Sequence, residues 1–130
     1  MDSDSVVNFP PNNWHAYLDR RDAIAALLDA RCHNIEWLDA CIIGGACRVF
    51  ASDAAVIVVM VKQYPAGATE LHGLVAAGDL EAILPLIDDA EHWARENGVT
   101  FASIASRQGW ERVLKDRGYR LYKTELRKEL

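Results

Sequence analysis

The run Ala55-Val-Ile-Val-Val-Met-Val61 constrains this chain more than any other segment. Branching at Cβ stiffens side chains and favours extended backbone. The run lacks the polar alternation of a strand with one wet face, so it reads as a central strand buried on both faces. Upstream, Ala46 to Phe50 reads as a short strand ended by a turn at Ser52-Asp53. Downstream, Tyr64-Pro-Ala-Gly67 marks a turn, and Thr69 to Ala76 supplies the hairpin partner.

Helices account for most of the remainder. Ile24, Leu27, Leu28 and Arg31 recur at helical spacing and predict a helix from about Asp19 to Arg31. Ile35, Leu38 and Ile42 predict a second, stopped by Gly44-Gly45. The stripe Ile83, Leu84, Ile87, Ala90, Trp93 and Ala94 gives a long helix ending at Asn97-Gly98. Pro85 either opens that helix or kinks it. Val99 to Ala105 then reads as a strand, Gln108 to Arg117 as a short helix stopped by Gly118, and Tyr119 to Leu126 as a last strand. Strand–helix–strand order makes the strands at Thr69 and Val99 parallel neighbours through a right-handed crossover, splaying beyond Val75 and Ala105. The expected fold class is α/β: one mixed sheet, two N-terminal helices, a long central helix and a short C-terminal helix. Residues 1–18 are expected to form an N-terminal arm and residues 19–130 a single domain.

Charge and cysteine usage exclude several roles. The chain carries a net charge of −5, and its one basic stretch, Lys123, Arg127 and Lys128, is interrupted by Glu125 and Glu129. Nucleic-acid binding needs a basic stripe to neutralise phosphates, so no nucleic-acid partner is expected. The acidic N-terminus lacks a cationic leader, and the longest apolar run, Ala54 to Val61, is far too short for a bilayer. No membrane association is expected, and the protein is placed in the cytoplasm. Cys32, Cys41 and Cys47 are odd in number and lack C-x-x-C spacing, and Cys32 and His33 are adjacent. They read as buried free thiols, with no metal.

The segment EHWARENGVTFASIASRQGWERVLKDRGYRLYKTELRKEL carries a family likeness. A long helix ending in Gly, a strand, and a short helix ending in Lys-x-x-Gly-aromatic, here Lys115, Gly118 and Tyr119, resemble the closing half of the GNAT superfamily of N-acetyltransferases. The resemblance covers roughly residues 46 to 130. The shorter SRQGWERVLKDRGYR is closest to small GNAT-like proteins of tailed bacteriophages and prophages, which would place the protein in host cytoplasm or virion. The resemblance implies acetyl-CoA between two splayed parallel strands, its pyrophosphate on the amides at the start of the long helix. Val75, Ala76, Ala77, Gly78, Asp79, Leu80, Glu81 and Ala82 fall at those positions. Of the family's [Arg/Gln]-x-x-Gly-x-[Gly/Ala] loop only Ala82 matches, with Ala77 and Leu80 at the other two key places. Asp79 is placed to cap the helix with its side chain and occupy the amides. A carboxylate some 6 Å from a phosphate charge costs roughly 1–3 kcal/mol at an effective dielectric of about 20–60, so Asp79 and Glu81 weaken the expected cofactor site.

Catalytic candidates are fewer. The Tyr that protonates the leaving thiolate in many family members corresponds to Leu114, which has no proton to give. Tyr119 is the neighbouring candidate, against a reading as a core-edge residue. His72 and Glu70 lie two apart on one strand and share a face, where the family often keeps a base for the acceptor amine. The plain alternative is a half-exposed polar sheet face. Ser103 and Ser106 have no His or Asp at triad distance in the sequence. His92, Asp88, Asp89 and Glu91 read as solvent-facing, and Trp37 and Trp110 as core. Trp14 sits outside the regular elements in the arm, where Val6, Val7, Phe9 and Trp14 suggest attachment to a protein partner, a virion component or a second copy of the chain. Two functions follow: a non-catalytic binding or structural module of phage or prophage origin, or an acyl-CoA-dependent N-acyltransferase acting on an unknown amine.

Overall fold

The computed structural model describes residues 13–105 and 109–130. The arm residues Val6, Val7 and Phe9, together with Ser106 and Gln108, lie outside the described residues. Two short helices come first, α1 (Trp14–Asp19) and α2 (Arg21–Leu27), followed by α3 (Ile35–Ile43). Then come β1 (Cys47–Ala51), β2 (Ala55–Gln63) and β3 (Thr69–Gly78). The long helix α4 (Leu80–Glu96), β4 (Phe101–Ile104) and α5 (Trp110–Leu114) complete the regular elements, with a 3-10 turn at Lys115–Arg117.

Among the described residues the four strands form one mixed sheet in the order β1-β2-β3-β4. β1, β2 and β3 are antiparallel neighbours, whereas β3 and β4 run parallel, joined by the α4 crossover. The β2 run is buried on both sides, as its composition demands. Ala55, Ile57 and Val59 pack with Ile83, Leu86, Ile87 and Ala90 of α4. Val56 and Val58 face the other way, toward Tyr17, Ile24, Leu38 and Ile42 of the N-terminal helices. The sheet therefore separates two cores, one under α4 and one under α1 to α3.

β3 carries a bulge. Val58 pairs with Val75 while its neighbour Val59 pairs with Gly73, leaving Leu74 as the extra residue. Leu74 and Val75 both pack on the N-terminal-helix side. A bulge increases local twist and bends the strand. The β3–β4 ladder ends at this point, its last pair being Gly73 with Ile104. The strands thus separate two residues earlier along β3 than Val75.

Four expectations need correction. The helix expected over Asp19 to Arg31 is two helices that break at Arg20 and stop at Leu28, whose backbone is extended. Trp14 is not outside the regular elements but opens α1. Asn13 adopts a left-handed backbone there, and its side chain reaches the Val49 carbonyl of β1 at 2.9 Å. Tyr17 of α1 and Arg21 of α2 both bond Asp39 of α3, at 2.6 Å each, tying the three helices together. Pro85 does not open α4: the helix starts at Leu80, and Pro85 sits exposed within it. Tyr119 to Leu126 forms no strand. That tail instead runs from Glu91, bonded by the Tyr119 hydroxyl at 2.6 Å, to Asp29 and Arg31, which pair with Arg127 and Glu129.

Candidate functional site

The sheet brings Glu70, His72 and Ser103 together. Parallel register sets Glu70 opposite Phe101 and His72 opposite Ser103, so these side chains share one face. The Ser103 hydroxyl donates to Glu70 Oε2 at 2.6 Å and lies 3.0 Å from His72 Nδ1. His72 Nδ1 is also 3.4 Å from that carboxylate oxygen. The other oxygen, Oε1, accepts from the Tyr64 hydroxyl at 2.8 Å, and the Tyr64 ring stacks on Phe101. Glu70 is the one buried charged residue among the described residues. Contact between Ser103 and a histidine was invisible in the sequence because it depends on register between segments 31 residues apart.

Electrostatics fit this arrangement to accept a proton. Burial alone would raise the Glu70 carboxyl, but the Ser103 and Tyr64 hydrogen bonds, with His72 and Lys62 nearby, outweigh it and hold the group below its usual range. Burial, then the Lys62 charge, pulls His72 below its usual value against the opposing pull of Glu70. The imidazole is therefore neutral at neutral pH and has a lone pair to offer.

Beyond Gly73 the parted strands open a cavity of about 790 Å³. Ser103 is among the residues that line it. Gly73, Val75, Ala76, Ala77 and Gly78 of β3 line one wall, and Leu80 lies at the start of α4. Among the described residues no ladder joins β3 to β4 past Gly73. Gly78 is required where strand gives way to helix. Its φ is 122°, and a Cβ there would lie 2.5 Å from the Ala54 carbonyl oxygen.

Asp79 is the N-cap residue of α4, yet its side chain makes no capping hydrogen bond, contrary to the expectation. The Ala82 and Ile83 amides bond the Asp79 carbonyl instead. The first amides, of Leu80 and Glu81, are the ones an anion would meet. Asp79 and Glu81 are exposed, while Leu80 is half-buried.

Tyr119 is not part of the Glu70 cluster. It lies with the α4 core, lines the cavity, and donates a hydrogen bond to Glu91. Burial, then that hydrogen bond, pushes its phenol well above the usual range. Glu91 is correspondingly not solvent-facing: its side chain is 16% exposed, against 72% for His92. Leu114 is buried in the same core. Cys47 is buried, its thiol pushed up to about 12 by that burial and by Cys41, but Cys32 is exposed, against the expectation. Trp37 and Trp110 are half-buried against the two cores. Among the described residues no group of three or more His, Cys, Asp or Glu side chains is placed to hold a metal ion. Nor is any helix among them long and apolar enough to cross a membrane.

The chain superimposes on solved acetyltransferase structures over most of its length. An acetyltransferase of Trypanosoma brucei superimposes with a TM-score of 0.65 over 89% of this chain and 94% of its own, at 16% identity. A probable acetyltransferase gives 0.66 over 92% and 93%, at 10% identity. A predicted acetyltransferase from Clostridium acetobutylicum, with acetyl-CoA, gives 0.61 over 79% and 77%, at 8% identity. The chain has the fold of the GNAT acetyltransferases. No protein-family model matches its sequence, and no curated protein sequence does.

Proposed function

We propose that this protein is an acyl-CoA-dependent N-acyltransferase in which His72 is the base for an acceptor amine. The observation that carries the reading is the end of the β3–β4 ladder, where Ser103, bonded to Glu70 and His72, lines the open cavity. Backbone groups of residues 75–78 and the first amides of α4 would hold the acyl-CoA chain and pyrophosphate. The volume suits a small-molecule site. His72 would take a proton from the bound ammonium, leaving a neutral amine to attack the thioester carbonyl. Neither Leu114 nor Tyr119 is placed to protonate the leaving thiolate, since Leu114 has no acidic proton and Tyr119 has committed its own to Glu91. A leaving thiolate whose thiol has a pKa near the ordinary value of about 8.5 can take that proton from water.

A second reading, a non-catalytic module of phage or prophage origin, is favoured by the mouth of α4. Leu80 stands where the resembling proteins keep a small residue, and Asp79 and Glu81 put negative charge where a pyrophosphate would sit. In that reading the arm from Val6 to Trp14 would hold a partner protein or a second copy, and only Asn13 and Trp14 of its neighbourhood are described. Calorimetry with acetyl-CoA, followed by thiol-release assays over a panel of primary amines, separates the two. Saturable acetyl-CoA binding with amine-dependent thiol release supports the enzyme. No acetyl-CoA binding by the folded protein would overturn it.

A further inference from the structure

We infer that Ser103 is a positioning residue: it transmits the charge of Glu70 to His72 Nδ1 and so presents the Nε2 lone pair as the base. The inference rests on the reading of His72 as the base, but its central quantity, the tautomer of a neutral imidazole, can be measured without any acyl transfer.

The chemistry follows from counting donors and acceptors. An ionised carboxylate only accepts hydrogen bonds. Glu70 Oε1 takes the Tyr64 proton, and Oε2 lies 2.6 Å from Ser103 Oγ, a separation that needs a proton between the two oxygens. Ser103 must therefore spend its single hydroxyl proton on Glu70. What it turns to His72 Nδ1, at 3.0 Å, is a lone pair. Two lone pairs facing each other at that distance repel, so Nδ1 carries the hydrogen. Oε2, 3.4 Å from Nδ1, favours the same tautomer. The remaining nitrogen, Nε2, is then unprotonated. In water a neutral histidine side chain prefers the opposite arrangement, so the cluster imposes the form a base requires. Against its burial, Glu70 is kept ionised by the Ser103 and Tyr64 hydrogen bonds, and burial followed by the Lys62 charge opposes protonation of the ring. Without Ser103 the direct contact to Glu70 is longer than a good hydrogen bond.

Long-range proton–nitrogen correlation spectra of uniformly ¹⁵N-labelled protein at neutral pH give the test, with His72→Gln assigning the ring among the four histidines. Wild type and Ser103→Thr, which keeps the hydroxyl, should show Nδ1–H. Ser103→Ala should shift His72 to Nε2–H or to a mixture. In the same series Ser103→Ala should lower kcat at least about tenfold, since a base in the wrong tautomer is costly, leave the KM for acetyl-CoA unchanged, and be rescued by Ser103→Thr. Nε2–H in wild type would overturn the inference, as would an unchanged Nδ1–H population in folded Ser103→Ala. The expected tautomers without any amine acylation would uphold the relay and sink only the proposed activity.

Discussion

From Glu70 to Gly73, β3 is hydrogen-bonded to a strand on either side; from Val75 to Gly78 its ladder among the described residues is with β2 alone. The two halves also differ in side chains. The doubly paired half carries Glu70, bonded by Ser103 and Tyr64, and His72, whose Nδ1 lies against Ser103. The segment from Leu74 to Gly78 is Leu, Val, Ala, Ala and Gly, with no polar side chain at all. A polar cluster can be buried where the backbone ladder is complete, because the ladder fixes the geometry that satisfies it. Where the ladder is missing, the polar groups on offer are those of the backbone. One half is suited to chemistry and the other to holding a ligand.

That division can be broken most sharply at His72. His72→Gln should lower kcat/KM by about 10²–10⁴-fold, the usual worth of a general base, while acetyl-CoA affinity measured by calorimetry stays within about twofold of wild type. A matching loss of affinity would mean that the two halves are not separable. At the far end, Gly78→Ala should destabilise the fold by about 3 kcal/mol or more, because its Cβ meets backbone rather than a movable side chain. Thermal unfolding reads that loss, and a melting temperature near wild type would show the strand-to-helix junction to be less rigid than drawn.

A third test concerns pH. His72 titrates lower in the folded chain than its ordinary value of 6.5. As pH falls below 6.5 the unfolded chain takes up a proton that the folded chain refuses, so stability is full above 6.5 and lost as pH drops toward the folded value. The contribution is at most about 1.4 kcal/mol per pH unit. The difference between the wild-type and His72→Gln stability curves therefore reads the contribution of His72. Parallel stability curves for the two between pH 5 and 7 would show that His72 is not depressed. The smallest effect is expected at the mouth of α4. Asp79→Gly with Glu81→Gly should strengthen acetyl-CoA binding by roughly 1 kcal/mol, about fivefold, since both carboxylates are exposed and screened. Weaker binding in the folded double variant would mean that these carboxylates are no obstacle.

Local pattern carried most of the fold. The β-branched run became β2, the stripe from Ile83 to Ala94 became the buried face of α4, and Gly98 adopts the left-handed stop, with the Val99 amide reaching back to Ala94 at 3.0 Å. Each of these depends on neighbours in the chain. The misses depend on distant ones. Tyr119 to Leu126 has the composition of a strand, but a strand needs a partner, and these residues pair instead through Arg127 and Glu129 with the loop after α2. Asp79 has the right identity for a side-chain cap, yet its carboxylate turns elsewhere. At the site, Glu70 and His72 could be paired from their two-residue spacing. Ser103 could not, because only the register of β3 on β4 makes it their neighbour.

Leu74 has an unusual standing in the length of this chain. Without the bulge, Val75 would follow Gly73 directly, and both would keep their present partners on β2 and their present faces of the sheet. Loss of that one residue would straighten β3 at the point where its ladder with β4 now ends. Loss of a residue from Glu70 to Gly73 that left the bulge in place would instead turn the preceding side chains over to the α4 side. A single codon thus decides whether β3 bends beside Ile104 or runs straight.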